Sequence, residues 1–417
     1  MIEDDVLVVG GGLAGSTAAL AAAKTGADVR LVSAKESTMR QASGLADCLG
    51  YVGPDGDLLA DPFSAIDDLP ENHPYRITGE EAIREGFALF DEVTGDAYAE
   101  AAGEDDRNVL VPTTQGTVKP TFRYPKSMEA GLAGDGRATL LVSFESDPDF
   151  DAPLAANQLD ETVPGDVTGV ELSFPVDLRD DVKPTRIAKL LQEDGGVRGD
   201  LARAVEPHLA DAEAERVGFP AVLGEKPGPV IDSLSRALGV PVFEVPTGPP
   251  SLPGMRLRDR MRSALLDAGV AVTTGCPMVD FEAEDGSIDV LEMDRNGATI
   301  PHYPDQVVLA TGGLVGGGID TDRESVREPL FDLHVPHPED RYDWSAEAAF
   351  GDHAFARFGV RIDDDGRPLD ESGTAAYENL RAAGSVVGGA DFATELSGSG
   401  ISLATGWLAG TRAGDNL

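Results

Sequence analysis

A glycine turn set between two short aliphatic runs at the start of the chain narrows the possible folds more than any other feature. Val6-Leu7-Val8-Val9 has the unbroken apolar character of a strand buried on both faces. Gly10-Gly11-Gly12-Leu13-Ala14-Gly15 follows as a tight turn. The alanine-rich stretch Ser16–Lys24 predicts a helix, with Gly26 at its C-cap. Val29-Arg30-Leu31-Val32 then predicts a second strand. A strand, turn, helix and strand this close together make a parallel βαβ unit. The spacing Gly10-x-Gly12-x-x-Gly15 matches the dinucleotide fingerprint. Its first glycine permits the turn, its second lets a pyrophosphate approach the backbone, and its third lets helix and strand pack closely. Free N–H groups and the positive dipole end of the helix then face the phosphates. An acidic residue normally ends the second strand and accepts the ribose hydroxyls. Here Ser33-Ala34-Lys35-Glu36 stands there, so Ser33 is the candidate and the charged acceptor is missing.

The chain has 417 residues with 33 basic and 74 acidic side chains, a net charge of −41. Such a field repels phosphate polyanions and excludes nucleic acid as a partner. The 41% hydrophobic content argues for a folded protein with an acidic surface rather than a disordered acidic chain. The carboxylates are spread out, as in Asp363-Asp364-Asp365, not gathered in one tail. Two cysteines, Cys48 and Cys276, lack metal-ligand spacing and allow at most one disulfide. No metal site is expected. The chain opens Met1-Ile2-Glu3-Asp4-Asp5 without a basic segment ahead of an apolar one, so no secretory signal is expected and a cytoplasmic location is.

Five segments follow from the patterning. Residues 1–55 hold the βαβ unit. Residues 56–250, rich in Pro, Asp and Gly, read as an inserted α+β domain, with helical patterning near Gly79–Glu92 and Thr185–Leu191. Residues 251–318 return to the first domain through a helix, a strand at Val270–Thr274 and strand-like pieces at Met278–Ala283, Ile288–Met293 and Ala298–His302. Asp285-Gly286 and Asn296-Gly297 separate these pieces, the latter a strong hairpin signal. Gln306–Gly313 is then a separate buried strand ending in a glycine turn. Residues 319–375 read as a second part of the inserted domain. Residues 376–417 form a closing segment with a strand at Leu380–Val387, a glycine loop and a helix over about Ile401–Ala413.

Two later motifs point to a particular cofactor. Ala310-Thr311-Gly312-Gly313 resembles the ATG turn of two-dinucleotide-fold flavoproteins. Gly384, Gly388 and Gly389, followed by Gly398, Gly400 and Ile401, resemble the terminal flavin segment of succinate dehydrogenase/fumarate reductase-like flavoproteins. That resemblance implies a helix aimed N-terminus first at the flavin, supporting negative charge on it. The fold class is therefore α/β: an N-terminal Rossmann-type unit, a C-terminal return of the flavin domain and an inserted α+β domain.

A closer resemblance covers nearly the whole chain. Gln41-Ala42-Ser43-Gly44, His73-Pro74-Tyr75, Pro112–Thr117, Phe219–Gly224, Pro249–Leu257 and Arg327-Glu328-Pro329-Leu330-Phe331 are similar to segments of the B subunits of anaerobic glycerol-3-phosphate dehydrogenases. The resemblance implies oxidation of sn-glycerol 3-phosphate to dihydroxyacetone phosphate in glycerol catabolism, with electrons passed to quinone. It implies as partners the FAD-bearing A subunits of those enzymes and a third, iron–sulfur subunit that anchors the complex at the inner face of the membrane. FMN is the cofactor it assigns to this subunit, and the fingerprint would equally hold FAD. Ser43 and Gly44 join the candidate cofactor residues on this basis.

Glycerol phosphate is a dianion and needs cations. Lys119, Arg123 and Lys126 lie close together, as do Arg256 and Arg258; His73, His334 and His337 are candidate proton acceptors. His73, Arg123 and Arg256 are taken as the catalytic candidates. Two other readings stay open: an electron-relay or supporting flavoprotein subunit without catalysis, and a stand-alone enzyme of the fumarate reductase or ketosteroid dehydrogenase kind. The charge balance also resembles that of proteins from salt-in halophiles. Lowering the salt from several molar to about 0.1 M, which lengthens the reach of charge repulsion from about 3 Å or less to about 10 Å, is expected to lower the thermal unfolding midpoint markedly. Circular dichroism melts check this, and an unchanged midpoint in dilute buffer would refute it.

Overall fold

A computed structural model describes residues 2–53, 56–103, 106–147, 149–178, 182–349 and 351–417. Met1, and residue 55 at the first segment boundary read from sequence, lie outside the described residues. The principal elements run β1 (Ile2–Val9), α1 (Leu13–Thr25), β2 (Val29–Ser33), α2 (Pro74–Thr94), β3 (Thr139–Phe144), α3 (Ala152–Leu159), β4 (Val167–Leu172), α4 (Pro184–Glu193), α5 (Gly195–Asp211), β5 (Arg216–Pro220), α6 (Pro227–Leu238), β6 (Val242–Val245), α7 (Leu252–Asp267), β7 (Ala271–Thr274), β8 (Met278–Glu284), β9 (Ser287–Arg295), β10 (Ala298–Leu309), β11 (Leu380–Ala382) and α8 (Gly398–Asp415). They form two compact units. The first holds residues 1–38, 47–94 and 259–417; the second holds 39–46 and 95–258. This division differs from the five-segment expectation. Residues 56–94 and 319–375 belong with the first unit: Phe331, Val335 and Val360 enter its core beside Leu7 and Val307, Ile77 packs against that core, and Gly86 lies on Leu403.

The first unit is built on a seven-stranded sheet in the order β7-β2-β1-β10-β9-β8, with β11 also on β10. β1, β2, β7, β11 and the end of β10 are parallel; β8, β9 and the start of β10 are an antiparallel meander. Asp285 and Gly286 (φ 51° and 83°) and Asn296 and Gly297 (φ 58° and 83°) take the left-handed conformation that two-residue hairpin turns require. The pieces read separately as Ala298–His302 and Gln306–Ala310 are one strand, β10. It pairs with β9 up to His302 and with β11 from Val307. Pro304 falls between the two, opposite Asp4 of β1, where its missing N–H breaks no ladder on the other side.

At the lower end of these strands Asp4 takes the Arg30 Nε–H at 2.8 Å and lies 3.4 Å from His302 Nδ1. Burial alone would raise its carboxyl. The hydrogen bonds from His302 and Arg30 outweigh burial and hold it below the usual carboxylate range.

α1 is buried continuously from Ala14 to Ala22, so it packs on more than one side. Alanine favours the helix and keeps its surface smooth. α8 lies against it through Gly406, Gly410 and Gly414. A Cβ on Gly406 would stand 2.6 Å from Ala14 O, and one on Gly410 2.1 Å from Ala18 O. Gly86 of α2 meets α8 at Leu403 in the same way, 2.7 Å from its carbonyl carbon. α8 is thus clamped between α1 and α2. The two cysteines, Cys48 and Cys276, are free and buried, so the conceivable disulfide is not formed.

The second unit centres on four parallel strands in the order β6-β5-β3-β4, joined by α3, by α4 with α5, and by α6. Two antiparallel ribbons, Val109–Pro112 with Val118–Thr121 and Tyr98–Ala99 with Tyr124–Pro125, complete it. The parallel sheet was not legible, because its strands are short and separated by acidic, proline-rich connections. Phe243 fills the space above Gly218 and Gly131, where a Cβ would come within 2.6 Å and 2.1 Å of its ring.

The α1–α8 contact yields a direct test. Gly410→Ala forces the two helices apart and is expected to cost about 1–3 kcal/mol, read as a lower thermal midpoint in high salt. Gly199 in α5 has nothing within 4 Å of its Cβ position. Gly199→Ala is the control, expected to be neutral or stabilising by up to about 1 kcal/mol.

Candidate functional site

The turn between β1 and α1 sorts its glycines by cause. Gly10 has φ 126°, and a Cβ there would stand 2.0 Å from Ala310 O of the neighbouring strand. A Cβ on Gly15 would stand 2.0 Å from Gly10 O. Both are glycine because the chain itself fills the space. At Gly12 a Cβ would meet nothing within 4 Å. No internal packing demands a glycine there. Gly12 is also the N-cap of α1, extended at φ −78° and ψ −171°, with no side chain capping the helix. The first N–H groups of α1 have no partner within the helix and no capping side chain, and they lie beside this open position at Gly12. The helix begins at Leu13, three residues before the expected start, because Gly15 packs on Gly10 inside the first turn.

Gly11 rests on Ser33: its Cβ position is 3.1 Å from Ser33 Cβ and 3.2 Å from Ser33 Oγ. Ser33 ends β2, is buried, and accepts the Cys276 N–H through its carbonyl at 3.1 Å. It supports the turn and brings no charge to it.

Two later segments close on this turn. Ala310 continues β10 and donates its N–H to Val9 O at 2.8 Å. Gly312, at φ 89°, turns the chain, and Gly313 N–H donates to Ser385 Oγ at 2.9 Å. Thr311 Oγ1 is buried without a partner. Gly384, at φ 76°, donates its N–H to Thr405 Oγ1 at 2.8 Å, and a Cβ on it would lie 2.6 Å from Ala14 Cβ. The fingerprint, the Ala310–Gly313 turn and Gly384 thus meet around the N-terminus of α1. Gly388 and Gly389 lie on another neighbour: their Cβ positions fall 2.8 Å from Arg357 O and 2.3 Å from Asn72 O.

The α8 end departs from expectation. A Cβ on Gly400 would stand 2.1 Å from the Tyr75 hydroxyl, so this glycine answers to packing. Gly398 has only ordinary contacts, with Phe392, and Ile401 is fully buried. Ser399 and Gly400 donate their N–H groups to Asp47, which no sequence spacing could have singled out.

Ser43 and Gly44 are in the second unit. Ser43 Oγ accepts the Leu45 N–H at 3.3 Å, and Gly44 O accepts the Tyr98 hydroxyl at 2.6 Å.

The three catalytic candidates are all engaged within the chain. His73 is fully buried; its Nδ1 accepts the Tyr75 N–H at 3.1 Å and its Nε2 meets Glu395 Oε2 at 3.1 Å. Arg123 pairs with Glu100 at 2.7 Å and stacks on Phe122. Arg256 grips the buried Glu244 with both Nη atoms, at 2.6 and 2.9 Å, and holds Gly224 O with Nε at 3.0 Å. His73 lies in the first unit and both arginines in the second. His334 faces Glu371 at 3.6 Å, and His337 Nδ1 donates to Val335 O at 2.7 Å. Lys126 is exposed, whereas Lys119 and Arg258 have partners within the chain. Glu328, in the Arg327–Phe331 motif, is fully buried, and burial pushes its carboxyl up to about 7 against the pull of the Phe331 and Leu330 N–H groups. Among the described residues no cluster of three or more His, Cys, Asp or Glu is arranged to hold a metal.

Comparison with known proteins agrees with this geometry. The family described as "FAD binding domain" matches residues 5–401. A probable B subunit of the anaerobic glycerol-3-phosphate dehydrogenase of Halobacterium salinarum is 54% identical, over 100% of this chain and 99% of the relative. The B subunit of the anaerobic glycerol-3-phosphate dehydrogenase of Yersinia pseudotuberculosis is 32% identical, over 96% and 95%. Among solved structures, the open conformation of a flavocytochrome c3 fumarate reductase aligns with a TM-score of 0.46 at 12% identity, over 99% of this chain and 78% of that one.

The sorting of the glycines yields a test. Gly12→Ala is expected to leave the unfolding midpoint of the cofactor-free protein within about 1 kcal/mol of wild type and to weaken flavin binding at least about tenfold. Gly10→Ala is expected to destabilise the cofactor-free protein itself. Melting curves with flavin titration separate the two.

Proposed function

Because this chain belongs to the family of anaerobic glycerol-3-phosphate dehydrogenase B subunits and carries the FAD binding domain over residues 5–401, we propose that it is the flavin-holding component of a multisubunit dehydrogenase. That enzyme oxidises sn-glycerol 3-phosphate to dihydroxyacetone phosphate in glycerol catabolism and passes the electrons toward quinone. The observation that carries the flavin reading is Gly12: an open backbone surface at an uncapped helix N-terminus, inside a fingerprint whose other glycines are accounted for by packing.

A bound flavin supplies the acceptor for the two electrons released when a secondary alcohol becomes a ketone. Gly10–Gly15 and the N-terminus of α1 would hold its phosphates. Ala310–Gly313 and Gly384 would line the same corner, held to one another by the Gly313–Ser385 hydrogen bond. The dinucleotide spacing and the matched family both favour FAD over the FMN that the resemblance implied. Ser33 weighs the other way, since it offers the adenosine ribose a hydroxyl and no charge. The partners we propose are an FAD-bearing subunit and an iron–sulfur subunit through which the complex contacts the inner face of the cell membrane. Among the described residues no helix is long and apolar enough to cross a membrane. The Halobacterium relative and the net charge of −41 both support function in concentrated salt.

A second reading, electron relay without substrate oxidation here, is favoured by one set of contacts. His73, Arg123 and Arg256 are each committed to a partner inside the chain, so none offers a free base or an unpaired cation to a phosphorylated alcohol. In this reading the FAD-bearing partner binds and oxidises the substrate.

Denaturing the purified, salt-stabilised chain and weighing the released chromophore tests the proposal. FAD is the expected product. FMN would restore the cofactor that the resemblance implied, and absence of any flavin would refute the flavin role. Omitting this chain from the reconstituted complex is expected to abolish electron delivery to quinone. Unchanged delivery would rule out both readings.

A further inference from the structure

The first turn of α8 is occupied by this chain's own carboxylate. Ser399 N–H donates to Asp47 Oδ1 at 2.8 Å, and Gly400 N–H donates to Asp47 O at 2.8 Å. Asp47 is only 6% exposed. The N-cap residue Ser397 makes no side-chain cap; its hydroxyl donates to Glu395 Oε2 at 2.9 Å. Glu395 is itself buried, and takes His73 Nε2 at 3.1 Å and the Asp391 N–H at 3.1 Å. The Tyr75 N–H points at His73 Nδ1, which puts the ring proton on Nε2. Tyr75 in turn donates its hydroxyl to Cys48 O at 2.7 Å, fixing the residue next to Asp47. Two carboxylates are therefore built into the α8 N-terminus.

This end of α8 adjoins the fingerprint. A Cβ on Gly384 would stand 2.6 Å from Ala14 Cβ, in the first turn of α1, and 3.8 Å from Ser402 Oγ, just past the first turn of α8. The FAD binding match runs to Ile401, inside that first turn. The N-terminus of α1 thus meets α8 about one turn in from the start of α8, and the two helix ends differ. α1 leaves its donors open beside Gly12, whereas α8 has donors turned onto Asp47. A helix N-terminus carries about half a positive charge, and a carboxylate a full negative one, so Asp47 more than offsets the end it caps.

We propose that Asp47 is a positioning residue that sets the reduction potential of the bound flavin: it locks the first turn of α8 in place and cancels the positive end that would otherwise stabilise negative charge on a reduced flavin. This rests on the flavin reading above. It departs from the expectation that α8 supports such charge, and it gives the site a flavin that passes electrons on readily instead of holding them.

Asp47→Asn tests it. Asparagine keeps an oxygen to accept the Ser399 N–H, so α8 stays capped while the charge is removed. In the flavin-loaded protein the oxidised-to-reduced equilibrium is expected to move at least tenfold toward the reduced form, about 30 mV for a two-electron couple, read by spectroelectrochemical titration in high salt. A potential unchanged in the variant would overturn the proposal and leave Asp47 a structural cap. If the variant does not fold, the wild-type protein decides. A bound flavin no more than tenfold easier to reduce than free flavin in the same buffer upholds the proposal; one easier than that overturns it. Wild-type protein that binds no flavin refutes the flavin reading, and this inference with it. A loaded Asp47→Asn protein with unchanged potential refutes this inference alone.

Discussion

Everything in the first unit turns on one backbone contact, the approach of Gly10 to Ala310. The two residues sit at the ends of neighbouring parallel strands, so close that a single methyl group would stand 2.0 Å from a carbonyl oxygen. That closeness lets the two glycine turns share one corner. It brings α1 over the sheet, where Gly15 packs on Gly10. α8 then seats against α1 through Gly406 and Gly410. Packing of this kind tolerates no extra volume, because interiors are as dense as organic crystals. This corner is tightly packed for the same reason that it is glycine-rich.

The electrostatics follow a different logic. With a net charge of −41, this chain has few cations to spare. Those inside are spent on internal carboxylates and carbonyls. Arg256 grips Glu244 and Gly224, Arg123 pairs with Glu100, and Arg30 meets Asp4 across two strands. Buried Arg216 holds the carbonyls of Ala130, Leu132 and Asp135. Buried charges need such partners, and a guanidinium satisfies several acceptors at once. The result is a chain whose internal arginines fasten loops.

α1 and α8 show how similar elements take different electrostatic roles. Both begin at a glycine-rich turn, and Gly384 packs on the start of the first and just past the first turn of the second. One has no capping side chain and an open surface at Gly12; the other is capped by a residue 352 positions earlier. At the second, Asp47 takes the Ser399 and Gly400 N–H groups and Glu395 takes the Ser397 hydroxyl.

The sequence by itself determined the βαβ unit, the hairpins at Asp285-Gly286 and Asn296-Gly297, and the glycine turn at Gly312, whereas the strand read over Leu380–Val387 ends at Ala382 and the chain turns at Gly384. These are local. A glycine or asparagine at a turn position allows the left-handed backbone that other residues resist, so the turn can be read from neighbouring residues alone. Family membership was legible too, because long stretches such as Phe219–Gly224 and Pro249–Leu257 carry a resemblance that no single element does. Only the tertiary structure decided which glycines face open space and which are forced by packing, since a glycine looks the same in sequence either way. It also decided the fate of His73, Arg123 and Arg256. A histidine or arginine is read as available until its partner is seen, and Glu395, Glu100 and Glu244 are ordinary acidic residues among 74. The same holds for the two-unit division and for Asp47. Each depends on contacts between residues far apart in the chain, where burial and hydrogen bonding, not local propensity, assign the role.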